Sequence, residues 1–286
     1  PLITDVDIQR SDNGIFVRHI TDGWVTRPTF QRVVIEDSMY RGVLVEQYNH
    51  SQFSNLPAHA VFDDLTIRGT GGVNAKTSGL GFSAFEVNTS GVIVDNALIE
   101  ENPVVGFKAY LIGSSTIING LELNNNGKPL PNTPINDRAG LFLRSVNWAP
   151  VINDLVVTNS TGPGILLWKG GAMGQDWWTS NNGASGVDFR EFHPQVTILR
   201  SLDNAGHGVS VRDSSNVELS HVLTSGNGIG SSLPENGAGL YFHEANDVMS
   251  GGKNVSCFTC ISNGDQHGIV ARDSIDLQLL AVEVHD

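Results

Sequence analysis

The chain has 286 residues, 32 of them glycine, with 7% aromatic side chains, only 16% charged side chains and a formal charge of −13. That acidic balance argues against nonspecific binding to nucleic acid or to an anionic membrane surface, so an anionic ligand would have to meet a local basic patch. No apolar run approaches the roughly 18 residues of a membrane-spanning helix, so no membrane insertion is expected.

The chain opens on Pro1-Leu2-Ile3-Thr4, already strand-like, and closes on Val282-Glu283-Val284-His285-Asp286, again within a strand pattern. Residues 1–286 therefore read as one domain, a segment of a longer repeat array. One pattern recurs along it: a glycine, alternating apolar residues, then an outward position. It reads Gly14-Ile-Phe-Val-Arg18, Gly42-Val-Leu-Val-Glu46, Gly81-Phe-Ser-Ala-Phe85 and Gly106-Phe-Lys-Ala-Tyr110. It continues through Gly140-Leu-Phe-Leu-Arg144, Gly164-Ile-Leu-Leu-Trp168, Gly208-Val-Ser-Val-Arg212, Gly239-Leu-Tyr-Phe-His243 and Gly268-Ile-Val-Ala-Arg272. Period-2 alternation buries the first and third residues after the glycine and turns the second and fourth outward.

A second strand follows most copies, as in Val33-Val-Ile, Leu65-Thr-Ile, Val151-Ile and Val196-Thr-Ile, and a third short apolar stretch comes next, as in Leu121-Glu-Leu and Leu155-Val-Val. Then comes a turn rich in asparagine and glycine, such as Asn124-Asn-Asn-Gly127, Asn204-Ala-Gly206 and Asn227-Gly228. Asn and Gly tolerate the left-handed backbone of such turns, and stacked Asn amides can bond from coil to coil. Three strands per coil predict a three-sheet solenoid in which each coil buries its apolar face only by stacking on its neighbours. Helix-period patterning is absent, and β-branched residues dominate the apolar runs.

Cys257 and Cys260 form the one cysteine pair. A redox or half-metal reading finds no second pair and no βαβ context, so both side chains are expected in the core, over Leu219 and Val222 of the preceding copy.

The cycle of Gly-apolar-x-apolar-Arg-Asp-Ser, Asn-Val-x-Leu and Asn-x-Gly resembles the right-handed parallel β-helix repeat of the pectate-lyase-like superfamily. The resemblance covers essentially the whole chain. It implies an all-β, single-stranded, right-handed parallel β-helix of about nine coils. The group includes polysaccharide lyases, mannuronan C5-epimerases, some glycoside hydrolases and phage tailspikes, so the repeat itself selects a fold rather than an activity.

The fourth position after each glycine lines up as one outward row: Arg18, Glu46, Phe85, Tyr110, Arg144, Trp168, Arg212, His243 and Arg272. Lys108, Phe142, Ser210 and Tyr241 stand beside it from the second position. Coils stack about 4.8 Å apart, which makes a strip on the order of 40 Å long. Aromatic faces suit sugar rings and arginine forks suit carboxylates. The bland alternative is a solvated ladder, because Asp213, Glu244 and Asp273 follow Arg212, His243 and Arg272. Arginines two coils apart repel by only about 0.4 kcal/mol in water, so the row needs no ligand to be tolerated.

Several copies carry extra residues. The longest such segment, Lys169 to Gln195, holds Asp176, Trp177, Trp178, Arg190, Glu191 and His193, and reads as a loop that walls the row with its paired tryptophans. Shorter ones run from Tyr48 to His59, Asn126 to Arg138 and Gly228 to Asn236.

An enzyme of this kind that acts on an acidic polysaccharide abstracts a proton next to a uronate carboxylate. It needs a cation to neutralise the carboxylate, a base and an acid. Arg144 or Arg212 is the candidate cation, His243 the base, and Tyr110 or Lys169 the proton donor. Lys108, Trp168, Trp177, Trp178, Tyr241 and Arg272 are the candidate substrate-binding residues. The Asp-Pro-His motif of mannuronan epimerases is absent. Gly206-His207-Gly208 matches one polygalacturonase element without its acidic companions nearby, which leaves glycoside hydrolysis the weaker reading. A non-catalytic adhesin or tailspike-like segment is the alternative from another class. The expected partner is an acidic polysaccharide, unless the segment is a stalk that merely spans, and the expected location is extracellular or at the cell surface. No cofactor is required. The superfamily allows a calcium ion (Ca2+), which the acidic balance permits, although no EF-hand spacing or clustered carboxylate motif stands out.

Overall fold

A computed structural model of the chain describes every residue except 20–26, 48–59, 72–82, 90, 111–114, 128–137, 147–149, 231–235, 246–254, 275–276 and 286. It is a right-handed parallel β-helix, 69% strand, and the described residues contain no α-helix. One series of strands carries the glycine motif: β2 (Asn13–His19), β4 (Arg41–Gln47), β6 (Ser83–Asn88), β8 (Val105–Tyr110), β10 (Leu141–Val146), β14 (Val209–Arg212), β16 (Ala238–His243) and β18 (His267–Arg272). The other series forms the remaining walls: β1 (Leu2–Gln9), β3 (Thr29–Glu36), β5 (Val61–Arg68), β7 (Ile93–Glu100), β9 (Ile117–Asn124), β11 (Val151–Thr158), β15 (Glu218–Ser225), β17 (Val255–Asn263) and β19 (Leu277–His285). Two long strands, β12 (Ile165–Ser180) and β13 (Val187–Leu202), run through both series without a break.

The predicted second and third strands are the two arms of one bent strand. A single left-handed residue makes the corner: Asp5, Arg32, Asp64, Asn96, Gly120, Asp154, Asp176, Ile198, His221, Thr259 and Ala281 occupy it in successive coils. Asp, Asn and Gly enter this backbone region at least cost and hold the corner in all but one of the coils up to Asp176, whereas Ile198, His221, Thr259 and Ala281 are held there by the pairing of their neighbours on both sides. Val33-Val34-Ile35 and Leu65-Thr66-Ile67 lie on the third arm, since Val33 pairs with Leu65 and Leu65 with Ala97. The second arms of those coils begin at Thr29 and Val61, four residues earlier than expected.

The segment from Lys169 to Gln195 corrects the expectation of a loop. It closes one coil and opens the next, and both are bare. Gly186-Val187-Asp188-Phe189-Arg190 is a further copy of the motif, in register with Ile165–Trp168 below and Val209–Arg212 above. Its coils repeat at a 22-residue spacing, visible between Asn182 and Asn204. Trp177, expected to bind substrate, is fully buried instead: it is inward on the third arm between Leu155 and Leu199. Its indole Nε1–H donates to the Ile152 carbonyl at 2.8 Å, and a Cβ on Gly174 would come within 2.5 Å of its ring. The shorter insertions from Tyr48, Asn126 and Gly228 lie mostly or wholly outside the described residues.

A second correction concerns the third motif copy. Phe85 is inward, paired with Val43 and Phe107, so the outward fourth position of that coil is Asn88. Phe30 and Phe62, and Phe85 and Phe107, are in register on neighbouring coils with centroids 5.0 and 4.9 Å apart, a spacing set by the strand separation, and Phe62 meets Phe85 edge-on between two walls at 5.0 Å.

The asparagine turns form an internal ladder. Asn102 donates to Asn126, Asn182 to Asn204, Asn204 to Asn227 and Asn227 to Asp265, all through Nδ2–H at 2.8–2.9 Å. Asp265 suits the last rung because a carboxylate only accepts; Thr224, Ser262 and the Asn227 backbone N–H also donate to it. The ladder explains the motif glycines: a Cβ on Gly164, Gly186 or Gly208 would press within 2.7–2.8 Å of the Nδ2 atoms of Asn182, Asn204 and Asn227. Cys257 and Cys260 are fully buried in register with Leu219 and Val222, as expected, and are joined by a disulfide.

Candidate functional site

The outer face of the motif sheet carries three columns. The fourth-position column runs Asn88, Tyr110, Arg144, Trp168, Arg190, Arg212, His243 and Arg272, one residue per coil in register. Beside it, the second-position column runs Glu86, Lys108, Phe142, Leu166, Asp188, Ser210, Tyr241 and Val270. Residues preceding the motif, Ser185 and His207 among them, edge the other side. The second-position residues face away from the core, yet those from Glu86 to Tyr241 are buried. They therefore form a closed floor under the fourth-position row.

The first half of the row is aromatic and aliphatic. Phe142, Leu166, Val105 and Ala139 make a small apolar cluster with Tyr110 and Trp168 packed against it. Lys108 is 4% exposed, its ammonium 5.3 Å from the Tyr110 centroid and 5.9 Å from that of Phe142. Arg144 lies over Trp168 at 4.5 Å. The Trp168 indole donates to Glu191 at 3.1 Å, and Lys169 sits 3.3 Å from the same carboxylate. These contacts, the indole hydrogen bond foremost, hold the Glu191 carboxyl below the usual glutamate range.

The second half is polar. Asp188, only 2% exposed, accepts from two arginines. Arg190 donates to it through Nε at 2.9 Å and Nη2 at 2.6 Å, and Arg212 through Nε at 3.2 Å and Nη2. Ser210, next to Asp188 in the floor, is buried with no hydrogen-bond partner for its hydroxyl among the described residues. Tyr241 is sandwiched between two imidazoles, 4.4 Å from His207 and 6.1 Å from His243, nearly parallel to both. His207 Nδ1 accepts from the Ala238 backbone N–H at 3.0 Å, which places the ring proton of the neutral form on Nε2. His243 Nε2 is 3.9 Å from Asp273, to which Arg272 also reaches at 3.4 Å.

Among the sequence-predicted residues, Arg212, His243, Arg272 and Tyr241 come together on consecutive coils. Arg144 and Tyr110 are four and five coils from His243, about 19 and 24 Å away along the row. Lys169 is not on the row at all. It occupies the left-handed corner just past it, a position held in later coils by Glu191, Asp213, Glu244 and Asp273. Trp178 is exposed, but on the outer side of the third arm, on a different face from the row. Sequence reasoning missed Arg190, Asp188 and His207. Arg190 and Asp188 had a signal, the equal 22-residue steps from Gly164 to Gly186 to Gly208; the same step separates Asn182 from Asn204. Among the described residues no three His, Cys, Asp or Glu side chains converge as a metal site.

Compared with known proteins, the chain matches no family model, and no curated protein is significantly similar to it in sequence.

Proposed function

We propose that this face binds an acidic polysaccharide along the solenoid axis. We further propose that the protein acts on it as a polyuronate lyase or C5-epimerase of the pectate-lyase-like type, outside the cell. The observation that carries the reading is the in-register run of Arg144, Trp168, Arg190, Arg212, His243 and Arg272 on a chain whose charge is −13. One side chain every 4.8 Å or so offers a polymer laid along the axis a regular series of contacts. In this reading Arg212 neutralises the uronate carboxylate and His243, the next residue up the row, takes the proton from the adjacent carbon. Tyr110 lies five coils from His243 and Lys169 lies off the row, so in this reading the proton donor is Tyr241, on the same strand as His243 with ring centroids 6.1 Å apart. Tyr110, Arg144 and Trp168 hold more distant sugar units. The Cys257–Cys260 disulfide suits an oxidising, extracellular compartment.

A specific observation favours a second reading, binding without turnover. Several cations of the row already have acidic partners: Arg190 and Arg212 on Asp188, Arg272 on Asp273. One experiment separates the two. The protein is incubated with alginate, pectate and other polyuronates while the absorbance of unsaturated uronate and the product stereochemistry by NMR are followed. Product that disappears in His243→Ala and Arg212→Ala supports catalysis. Salt-sensitive binding with neither product leaves the glycan-binding reading, and no binding at all refutes both.

A further inference from the structure

Two adjacent arginines on one face would ordinarily splay apart. Here Arg190 and Arg212, paired in register on neighbouring coils, both turn their Nε–Nη2 edge to the same buried carboxylate. Each guanidinium has five N–H donors in a rigid plane, so three per arginine are left, on the edge that faces away from Asp188. Among the described residues no other partner takes them. The Arg190 and Arg212 side chains are 27% and 35% exposed, while that of Asp188 is 2% exposed. The carboxylate is thus sealed in the floor and the two forks stand at the surface.

We infer that Asp188 is a positioning residue: it holds Arg190 and Arg212 as a preorganised double fork that takes one carboxylate of the polysaccharide. This rests on the acidic-polysaccharide reading and adds to it the residue that orders the anion subsite. Without Asp188 both arginines must be immobilised when the ligand binds, which weakens binding by on the order of tenfold. Simple electrostatics gives the opposite sign. Removing a negative charge beside a bound anion should tighten binding, so the direction of one substitution separates orientation from charge.

The test is calorimetric titration of wild type, Asp188→Asn, Arg212→Lys, and Asp188→Asn on an Arg190→Ala/Arg212→Ala background. The probes are oligomers of alginate and polygalacturonate and their carboxyl-reduced neutral forms. Folding is checked by circular dichroism and thermal midpoint. The inference expects weaker acidic-oligomer binding by folded Asp188→Asn, no such weakening on the double-alanine background, and a loss in Arg212→Lys, which keeps the charge but not the fork. Unchanged or tighter binding by folded Asp188→Asn overturns it, and a purely structural role would appear as a lowered midpoint with that same unchanged binding. Should Asp188→Asn fail to fold, Arg212→Lys decides, and full affinity there overturns the fork. If wild type binds its acidic oligomers no better than the neutral ones, the acidic-polysaccharide reading itself falls and takes this inference with it. Wild-type preference for the acidic form that survives in every variant removes the fork alone.

Discussion

Asn204 makes four side-chain hydrogen bonds within the internal ladder, as do Asn227 and Asp265, and its removal should cost more than that of an exposed polar contact. Its Oδ1 accepts from the Asn182 backbone N–H at 3.1 Å and from Asn182 Nδ2 at 2.8 Å. Its Nδ2 donates to Asn227 at 2.9 Å and to Ser201 at 3.0 Å. In Asn204→Ala all four bonds go. Asn227 Oδ1 still accepts from the Asn204 backbone N–H and Asn182 Nδ2 still reaches Val157, but the Asn182 N–H is left buried without a partner. At about 1 kcal/mol per net bond the loss is about 4 kcal/mol. The comparison is Asn153→Ala, which removes one bond from a half-buried outer pair, Asn153 to Asn119 at 3.1 Å, and should cost about 1 kcal/mol or less. A solenoid of this length need not refold reversibly, so the assay is the unfolding rate in guanidinium chloride. If the ladder forms only in the native state, Asn204→Ala unfolds on the order of 10³-fold faster than wild type, and Asn153→Ala no more than about fivefold. Equal rates for the two variants would refute the claim that the internal ladder, rather than coil stacking alone, secures the turns.

Other substitutions probe the remaining features. Ser160 interrupts the ladder between Asn126 and Asn182 and its buried hydroxyl has no partner among the described residues, while the facing position is Gly140, as at other rungs; Ser160→Asn should raise the thermal midpoint by about 2–4 °C per kcal/mol gained. Trp177→Phe should lose about 2–4 kcal/mol with its indole bond and ring volume; a difference spectrum against wild type should show a blue-shifted, acrylamide-protected tryptophan, and a quenchable one would contradict its burial. Acidification should release Trp168 from Glu191. Because the folded carboxyl is depressed, the contact is complete above the ordinary glutamate range and is lost as pH falls through the lower folded value. Trp168 emission should therefore change with a midpoint below that range, and Glu191→Gln should abolish the change.

What could be read from the sequence follows from which atoms enforce it. The inward positions are fixed by packing, so alternation exposed the coils and set Cys257 over Leu219 and Cys260 over Val222, as found. The third copy failed for the same reason. Gly81-Phe-Ser-Ala-Phe85 and Ala84-Phe-Glu-Val-Asn88 both alternate, the three-residue shift between them turns Phe85 from the outer face to the inner one, and the phenylalanine contacts with Phe62 and Phe107 select the second. The coil at Gly186 was hidden because Trp177, which lies on the last arm of the preceding coil beside an acid and another tryptophan, reads as a loop residue; the Ile152 carbonyl that makes an inward indole acceptable lies one coil away and has no local sequence sign.

That missing coil changes the chemistry as well as the count. Without it, Trp168 and Arg212 sit side by side and the row is a string of separate cations and rings. With it, Arg190 stands between them and Asp188 lies beneath, so two cations share one buried anion and the excess charge at that point is one rather than two. A strip of loose, fully charged arginines attracts any polyanion, with affinity that falls steeply as salt screens it. A strip in which two arginines are turned to a fixed direction by a sealed carboxylate trades attraction at a distance for geometry on contact. The acidic column just past the row, Glu191, Asp213, Glu244 and Asp273 on successive coils, would on the proposed reading work in the same direction by repelling anionic polymer that lies out of line. If the face binds an acidic polysaccharide as proposed, this arrangement favours a carboxylate-bearing chain that lies along the row, and neutralising that acidic column should broaden what it binds before it strengthens it.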